Sequence, residues 1–185
     1  MKTALVVGCA ANVWDDVAKA KELCTFNAIY CVKLAGVHWP DSFNVWVTLH
    51  PEFMDVYEEQ RKALSYPNGY EIVAPLDTEV GMHGKKGNIA RRVSYRYPGM
   101  TSSASSGLYA AKVALDDGFE RVILAGVPMD GTIHHFTRGK IWAQRDSFIR
   151  GFEKSLPFIK DSVRSMSGYT KEILGAPSPE WLAGS

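Results

Sequence analysis

Short apolar, β-branched runs alternate along the chain with stretches of helical periodicity, a pattern typical of βαβ units around a mostly parallel sheet. The first run, Thr3–Val7, does not alternate with polar positions, so it predicts a strand buried on both faces. Further strands are predicted at Asn27–Val32, Asn44–Leu49, Glu71–Val73, Arg92–Tyr97, Arg121–Ala125 and Asp161–Ser165. Helices are predicted at Trp14–Leu23, from His50 to about Leu64 with Pro51 in the first turn, and at Ser106–Asp117, Ile141–Leu156 and Gly168–Leu174.

These elements predict a three-layer α/β fold, a Rossmann-like domain with a mostly parallel sheet. At 185 residues, of which 46% are hydrophobic, the chain is long enough for one well-buried domain, whereas two would be cramped. Because no linker, repeat or low-complexity segment interrupts the pattern, residues 1–185 are predicted to form a single domain. Ligands of open α/β sheets bind outside the carboxyl ends of the strands, so we expect the site in the loops there.

Charge and composition exclude several classes of protein. With Lys+Arg 21 against Asp+Glu 20, the net charge of +1 does not indicate the basic surface of a general nucleic-acid binder. No apolar run reaches the roughly 18 residues of a transmembrane helix. The short apolar start is followed by Asp15 and Asp16, which favours a strand over a signal peptide. An odd set of cysteines without metal-ligand spacing, Cys9, Cys24 and Cys31, predicts reduced thiols in a cytoplasmic protein.

The turn Gly8–Asn12 follows the first strand and precedes a helix, where a Rossmann-like fold cradles phosphate. It is not a G-x-G-x-x-G sequence, and no acidic residue closes the next strand, so NAD binding is not expected. A single glycine, Gly8, fits a plain structural turn as well as a nucleotide contact. Asn12 is the informative position, because its side chain can cap the helix or bind a ligand.

The hydroxyl-rich turn Thr101–Gly107 leads into the next predicted helix. Ser105, Ser106 and Gly107 at the helix start can offer side-chain donors, backbone N–H groups and the helix dipole to an anion. One serine would suffice as an N-cap, which is the alternative interpretation. A second turn of this kind, at Ser167 and Gly168, follows the last strand. We expect both turns at the same edge of the sheet.

Asp130, His134 and His135 lie just after the strand Arg121–Ala125. A histidine with a near-neutral pKa suits general-base catalysis on a hydroxyl group, and a carboxylate such as Asp130 could orient it. The alternative is a solvated loop with a turn-forming Asp-Gly pair. Metal binding is less favoured, because neither H-x-H nor H-x-x-x-H spacing occurs. Which of the two histidines faces the site stays open.

The order of these pieces resembles the bacterial sialyltransferases of glycosyltransferase family 42, and the related motility-accessory-factor and hydroxymethylpterin-pyrophosphokinase-like proteins. The matching segments are ALVVGCAAN, SSGLYAAKVALDDGF, RVILAGVPMDG, HHFTRGKIWAQRDSFIRGFEK and VRSMSGYTKEIL. The resemblance implies a Rossmann-like domain that uses a CMP-activated sugar without a required metal. It further implies a histidine base at His134 or His135, with Asn12 and the turn Ser105–Gly107 around the nucleotide.

The favoured function is therefore a small nucleotide-sugar-dependent glycosyltransferase with a nucleotide or nucleotide sugar as its partner. A second hypothesis is a nucleotide hydrolase or pyrophosphoryl transferase, which would need a divalent metal held by Asp130 with Asp77 or Asp41. A third is a nucleotide-binding module without catalysis. Self-association as a homo-oligomer is expected if tryptophans such as Trp39, Trp142 and Trp181 are exposed rather than packed in the core.

Overall fold

The computed structural model describes residues 1–76, 88–100, 105–137 and 144–184. Seven strands lie in that part of the chain: β1 (Thr3–Val7), β2 (Ala28–Val32), β3 (Val45–Val47), β4 (Glu71–Ala74), β5 (Ile89–Arg92), β6 (Arg121–Ala125) and β7 (Val163–Ser165). They form one sheet in the order β5-β4-β3-β2-β1-β6-β7, and every neighbouring pair is parallel. The predicted α/β class with a mostly parallel sheet is confirmed.

Helices cover both faces of this sheet. They are α1 (Val13–Leu23), α2 (Leu34–His38), α3 (Met54–Ala63), α4 (Ser106–Asp116), α5 (Arg145–Ile159), α6 (Gly168–Leu174) and α7 (Pro179–Ala183), with a 3-10 turn at Pro51–Phe53 before α3. None of the helices within the described ranges is long and apolar enough to cross a membrane.

The core lies in two layers, one on each side of β1. Ala4 and Val6 of β1 pack with residues of α4 and α5 such as Leu108 and Phe152. Their neighbours Leu5 and Val7 belong to the opposite layer, which includes residues of α1 and α2. All of β1 is buried, as its lack of alternation predicts, because helices cover both faces of the sheet.

The boundaries β1, β6 and α6 agree with the sequence prediction residue for residue. The strand predicted at Arg92–Tyr97 is wrong, because β5 ends at Arg92. Tyr95 and Tyr97 are buried side chains of the first core layer. Their alternating pattern reflects packing against the core rather than pairing within the sheet. Two helices, α2 and α7, were not predicted. A third difference concerns the helix predicted at Ile141–Leu156: in the described residues, which do not include 138–143, α5 begins at Arg145.

The tryptophans bear on the prediction of self-association. Trp39 is 1% exposed and belongs to the second core layer, so it provides no exposed surface for a partner. Trp181 is partly buried against the same layer. Trp142 lies outside the described residues.

The strand order reverses next to β1. From β1 the chain adds β2, β3, β4 and β5 on one side, and then returns to place β6 and β7 on the other. In open α/β folds, the loops that follow the two strands at such a reversal turn to opposite sides of the sheet, which defines the crevice between β1 and β6 at its carboxyl edge. Such a topological switch point is where ligands bind in open α/β folds.

Candidate functional site

The segment after β6 is the centre at which the predicted loops meet. A Cβ atom on Gly8, at the end of β1, would lie 2.3 Å from the carbonyl oxygen of Gly126. A Cβ atom on Gly107, in the first turn of α4, would lie 2.6 Å from Val127 Cγ1. Only glycine allows these two approaches, so the turn after β1 and the start of α4 pack directly on the segment after β6.

The turn before α6 reaches the same segment. Gly168 has φ +64°, and a Cβ atom there would lie 2.4 Å from Pro128 Cβ and 2.6 Å from Asp130 Oδ2. The hydroxyl of Thr170 donates to the carbonyl oxygen of Val127 at 2.6 Å. The structure thus brings the predicted site residues of four separate segments to one edge of the sheet.

A buried carboxylate joins three of these segments. Asp16, in α1, is 4% exposed. Its Oδ2 accepts hydrogen bonds from the backbone N–H of Gly126 at 2.9 Å, from Ser167 Oγ at 2.6 Å and from Asn12 Nδ2 at 3.2 Å. Asp16 is not among the site residues predicted from the sequence. The one signal for it was its position four residues after Asn12, which places the two side chains on one face of the helix start.

Asn12 presents a hydrogen-bond acceptor rather than a cap. Its side chain makes no capping bond to α1, so that alternative is wrong. Its Nδ2 donates to Ser167 Oγ at 2.7 Å as well as to Asp16, so both amide hydrogens are used. Its Oδ1 is buried and has no partner among the residues that the structure describes. A buried acceptor is costly to leave unsatisfied, and a ligand donor, N–H or O–H, would satisfy it.

Two adjacent serines at the start of α4 differ in their hydrogen bonds. Ser105 Oγ accepts from the backbone N–H of Leu108 at 3.1 Å and is the N-cap. Ser106 Oγ is buried and lacks a hydrogen-bond partner in the described ranges. The first N–H groups of a helix have no partner within the helix, so the start of α4 offers donors beside this hydroxyl. Residues 101–104, the rest of the predicted hydroxyl-rich turn, lie outside the description.

The loop carrying the histidines returns beside the turn after β1. Ala10 and His134 form an antiparallel bridge. The backbone N–H of Ala11 donates to the carbonyl oxygen of Ile133 at 2.8 Å, and that of His135 to the carbonyl oxygen of Cys9 at 2.7 Å. These bonds hold both histidines next to the turn that ends at Asn12.

The two imidazole rings differ in their hydrogen bonds. Nε2 of His135 accepts from Trp14 Nε1 at 3.2 Å, which leaves Nδ1 to donate to the carbonyl oxygen of Ala11 at 3.2 Å. Both nitrogens of this neutral ring are therefore used. Nδ1 of His134 accepts from the backbone N–H of Phe136 at 3.2 Å, so the neutral ring carries its proton on Nε2.

Asp130 closes its own turn. Its Oδ1 accepts from the backbone N–H of Thr132 at 2.7 Å, rather than from a histidine ring. The preceding residue, Met129, has φ +52° and is 2% exposed.

The predicted alternative of a metal site concerns acidic and histidine side chains. No group of three or more His, Cys, Asp and Glu side chains that could hold a metal ion occurs among the described residues. Asp77, one of the predicted ligands, lies outside them.

The thiol nearest to the site is protonated. Burial raises the pKa of Cys9, the residue after Gly8, to about 11. Its Sγ donates to the carbonyl oxygen of Val32 at 3.2 Å. Burial also raises the pKa of Cys31 well above its usual value. Since the thiolate is the reactive form, these cysteines are packing residues rather than nucleophiles.

Comparison with solved structures finds the same architecture. The sialyltransferase CST-II in complex with a trisaccharide acceptor and CMP superposes with a TM-score of 0.61 at 10% identity, over 96% of this chain and 87% of that one. CstII from Campylobacter jejuni in complex with a substrate analogue, cytidine-5′-monophosphate, gives a TM-score of 0.63 at 11% identity, over 97% and 86%. The chain shares the fold of CstII. No protein-family model and no curated protein matches its sequence.

Proposed function

We propose that the chain is a small glycosyltransferase that uses a nucleotide sugar, with a CMP-linked donor bound at the crevice between β1 and β6. Two observations of different kinds support this. The fold is similar to that of a sialyltransferase whose structures contain CMP. Ligands of open α/β sheets bind at the carboxyl edge of the strands. Two buried polar atoms at this edge, Asn12 Oδ1 and Ser106 Oγ, have no partner in the described chain.

The chemistry of these two atoms assigns the parts of the nucleotide. Because Asn12 offers only an acceptor, it binds a hydroxyl or amino group of the nucleoside rather than a phosphate oxygen. The buried carboxylate of Asp16 beside it also disfavours phosphate. The N–H groups and the Ser106 hydroxyl at the start of α4 are donors, so they bind the phosphate. The unpartnered Oδ1 of Asn12 is the observation that carries the proposal.

The proposed general base is His134. His135 is held by Trp14 and Ala11 through both ring nitrogens, so its ring cannot take up a proton without losing one of these bonds. In the tautomer that carries its proton on Nδ1, the basic nitrogen of the His134 ring is Nε2. Nε2 then takes the proton of the acceptor hydroxyl while its oxygen attacks the anomeric carbon of the donor sugar. The bond from that carbon to the phosphate oxygen breaks, and the nucleotide monophosphate leaves.

A thermal-shift experiment tests the binding step. CMP, CDP, UDP, GDP and ADP are each added with and without magnesium. A ligand at about 100 times its Kd adds about 2.7 kcal/mol of stability, which raises Tm visibly. We expect a magnesium-independent increase with CMP that is lost in Asn12→Ala and kept in Asn68→Ala, a control at an exposed asparagine. If no nucleotide raises Tm, the proposed function is wrong.

Turnover separates the remaining hypotheses. With CMP-linked donors and sugar acceptors, we expect His134→Asn to lose most of its kcat and the low-pH limb of its rate profile while CMP binding is unchanged. His135→Asn should retain that limb. Magnesium-dependent release of phosphate or pyrophosphate from a nucleotide would instead identify the hydrolase or pyrophosphoryl transferase. Tight CMP binding without any turnover would identify a binding module.

A further inference from the structure

An aromatic groove runs along α1, outside the crevice between β1 and β6. Its volume is about 540 Å³, within the range of small-molecule sites. The side chains that matter for its chemistry are Trp14, Lys21, His38, Trp39, Asp41 and Phe136. His135 also lines it, so the groove begins at the histidine loop and continues along α1.

The wall of the groove consists of two contacting ring pairs. The rings of Trp14 and Trp39 have centroids 6.1 Å apart and are tilted by 37°. The rings of His38 and Phe136 are stacked at 4.7 Å with an angle of 9°. The two rings of each pair contact one another, so a flat nucleobase cannot insert between them. Trp14, His38 and Phe136 provide aromatic surface for a ligand with an apolar face, while the buried Trp39 ring packs behind Trp14.

Polar groups of opposite charge accompany these rings. Lys21 Nζ lies 4.9 Å from the centroid of the Trp39 ring, and Asp41 follows two residues after Trp39. Burial and the neighbouring His135 lower the pKa of His38, so its ring is neutral at pH 7. The indole N–H of Trp39 is buried without a partner within the described ranges. The charged side chains thus balance, which suits an uncharged ligand with many hydroxyl groups better than a phosphate.

We propose that this groove is a carbohydrate subsite that holds a neutral pyranose of the sugar acceptor. A pyranose presents C–H groups on one face, which pack on aromatic rings, and hydroxyl groups at its edge, which bind an ammonium group and a carboxylate. Because the groove starts beside the loop of His134 and His135, an acceptor bound there extends towards the proposed base. The inference rests on the proposed function for the role of that sugar, but sugar binding itself is tested independently.

The test uses saturation-transfer NMR with a panel of uncharged methyl glycosides, those of glucose, galactose, mannose and N-acetylglucosamine, with and without CMP. We expect saturation of the ring C–H protons of at least one glycoside. Lys21→Met removes a charged hydrogen-bond donor and keeps the alkyl chain, so it should weaken binding about tenfold. Lys19→Met, at an exposed lysine of the same helix, is the matched control and should bind normally. Trp14→Ala, checked for folding by circular dichroism, should abolish the signal.

Each other outcome has a definite meaning. If CMP raises Tm and no glycoside receives saturation, the groove proposal is wrong and the proposed function stands. If a glycoside binds but Lys21→Met and Trp14→Ala leave its Kd unchanged, the sugar site lies elsewhere. If CMP competes with the glycoside and Lys21→Met weakens CMP, the groove is a nucleoside site instead. If neither CMP nor a glycoside binds, both proposals fail.

Discussion

The Asp16 carboxylate accepts a 2.6 Å hydrogen bond from the hydroxyl of Ser167, a residue 151 positions further along the chain. The same oxygen accepts from the backbone N–H of Gly126 and from Asn12. One buried group thereby joins α1 to the loops after β6 and β7. Together with Ser167 Oγ, it takes up both amide hydrogens of Asn12, so Asn12 presents an acceptor.

Removing this carboxylate should destabilise the protein. Asp16→Ala leaves the N–H of Gly126 and the hydroxyl of Ser167 without their acceptor, so we expect a loss of about 3 kcal/mol in the free energy of unfolding. Urea denaturation measures it. Asp15→Ala, an exposed carboxylate in the same helical turn, is the control and should cost about 0.5 kcal/mol through the helix dipole. Equal losses in the two variants would contradict a special role for Asp16.

Gly168 should tolerate alanine much less well than Gly118. Both have positive φ, +64° and +83°, but a Cβ atom on Gly118 meets nothing within 4 Å. Gly118→Ala therefore reports backbone strain alone, about 1 kcal/mol. Gly168→Ala adds the clash with Pro128 and Asp130, and we expect a total of about 3 kcal/mol. Urea denaturation of both variants gives the comparison, and a difference near zero would mean that the turn shifts without cost.

Arg61 holds the backbone of one wall of the aromatic groove in place through hydrogen bonds to its carbonyl oxygens. Its guanidinium is fully buried and donates to the carbonyl oxygens of Gly36, Trp39, Asp41 and Pro67 at 2.6–3.0 Å. No other side chain has the donors in this planar arrangement to satisfy them together. The segment that carries Trp39 and Asp41 therefore depends on a residue of α3.

We expect Arg61→Met to lower the free energy of unfolding by about 3 kcal/mol or more, because buried carbonyl oxygens lose their donors. Arg61→Lys should recover only part of the loss, since an ammonium group cannot reach all the acceptors. Lys62→Met, at an exposed neighbour in α3, should change stability by less than about 0.5 kcal/mol. Chemical denaturation distinguishes these cases. Full recovery by lysine would show that charge alone matters.

The pKa of His38 predicts a loss of stability on the acid side. Burial lowers this pKa below its ordinary value of 6.5. As the pH falls below 6.5, the unfolded chain binds a proton that the folded protein does not, so folding becomes less favourable until the folded pKa is reached. His38→Phe retains the stacking on Phe136 and cannot titrate, so it should reduce the slope of stability against pH below 6.5.

His38→Gln serves as the second variant in this experiment, because it also cannot titrate but loses the stacking. Both variants should show the reduced slope, although the glutamine variant is less stable at pH 7. Denaturation at a series of pH values measures the slopes. An unchanged slope in both variants would mean that His38 titrates alike in the folded and unfolded protein.

The sequence predicted what depends on neighbours along the chain. The contiguous apolar run of β6 and the Ser-Gly start of α6 are local signals, and both elements were predicted residue for residue. The strand predicted at Arg92–Tyr97 failed because Tyr95 and Tyr97 alternate for a different reason, their burial in the core. The sequence also suggested self-association through an exposed Trp39, but Trp39 is buried. Its burial depends on how α1 and α2 pack together, which no local pattern shows.

By itself, the sequence determined the parallel α/β sheet and the loops at its carboxyl edge, because apolar runs and helical periods are properties of consecutive residues. Only the tertiary structure decided which side chains meet there. The reversal of strand order beside β1 brings Asp16 to Ser167, ties His135 to Trp14 and leaves Asn12 Oδ1 without a partner in the described chain. These contacts join residues more than one hundred positions apart, and no local pattern specifies them, because they follow from the order of the strands.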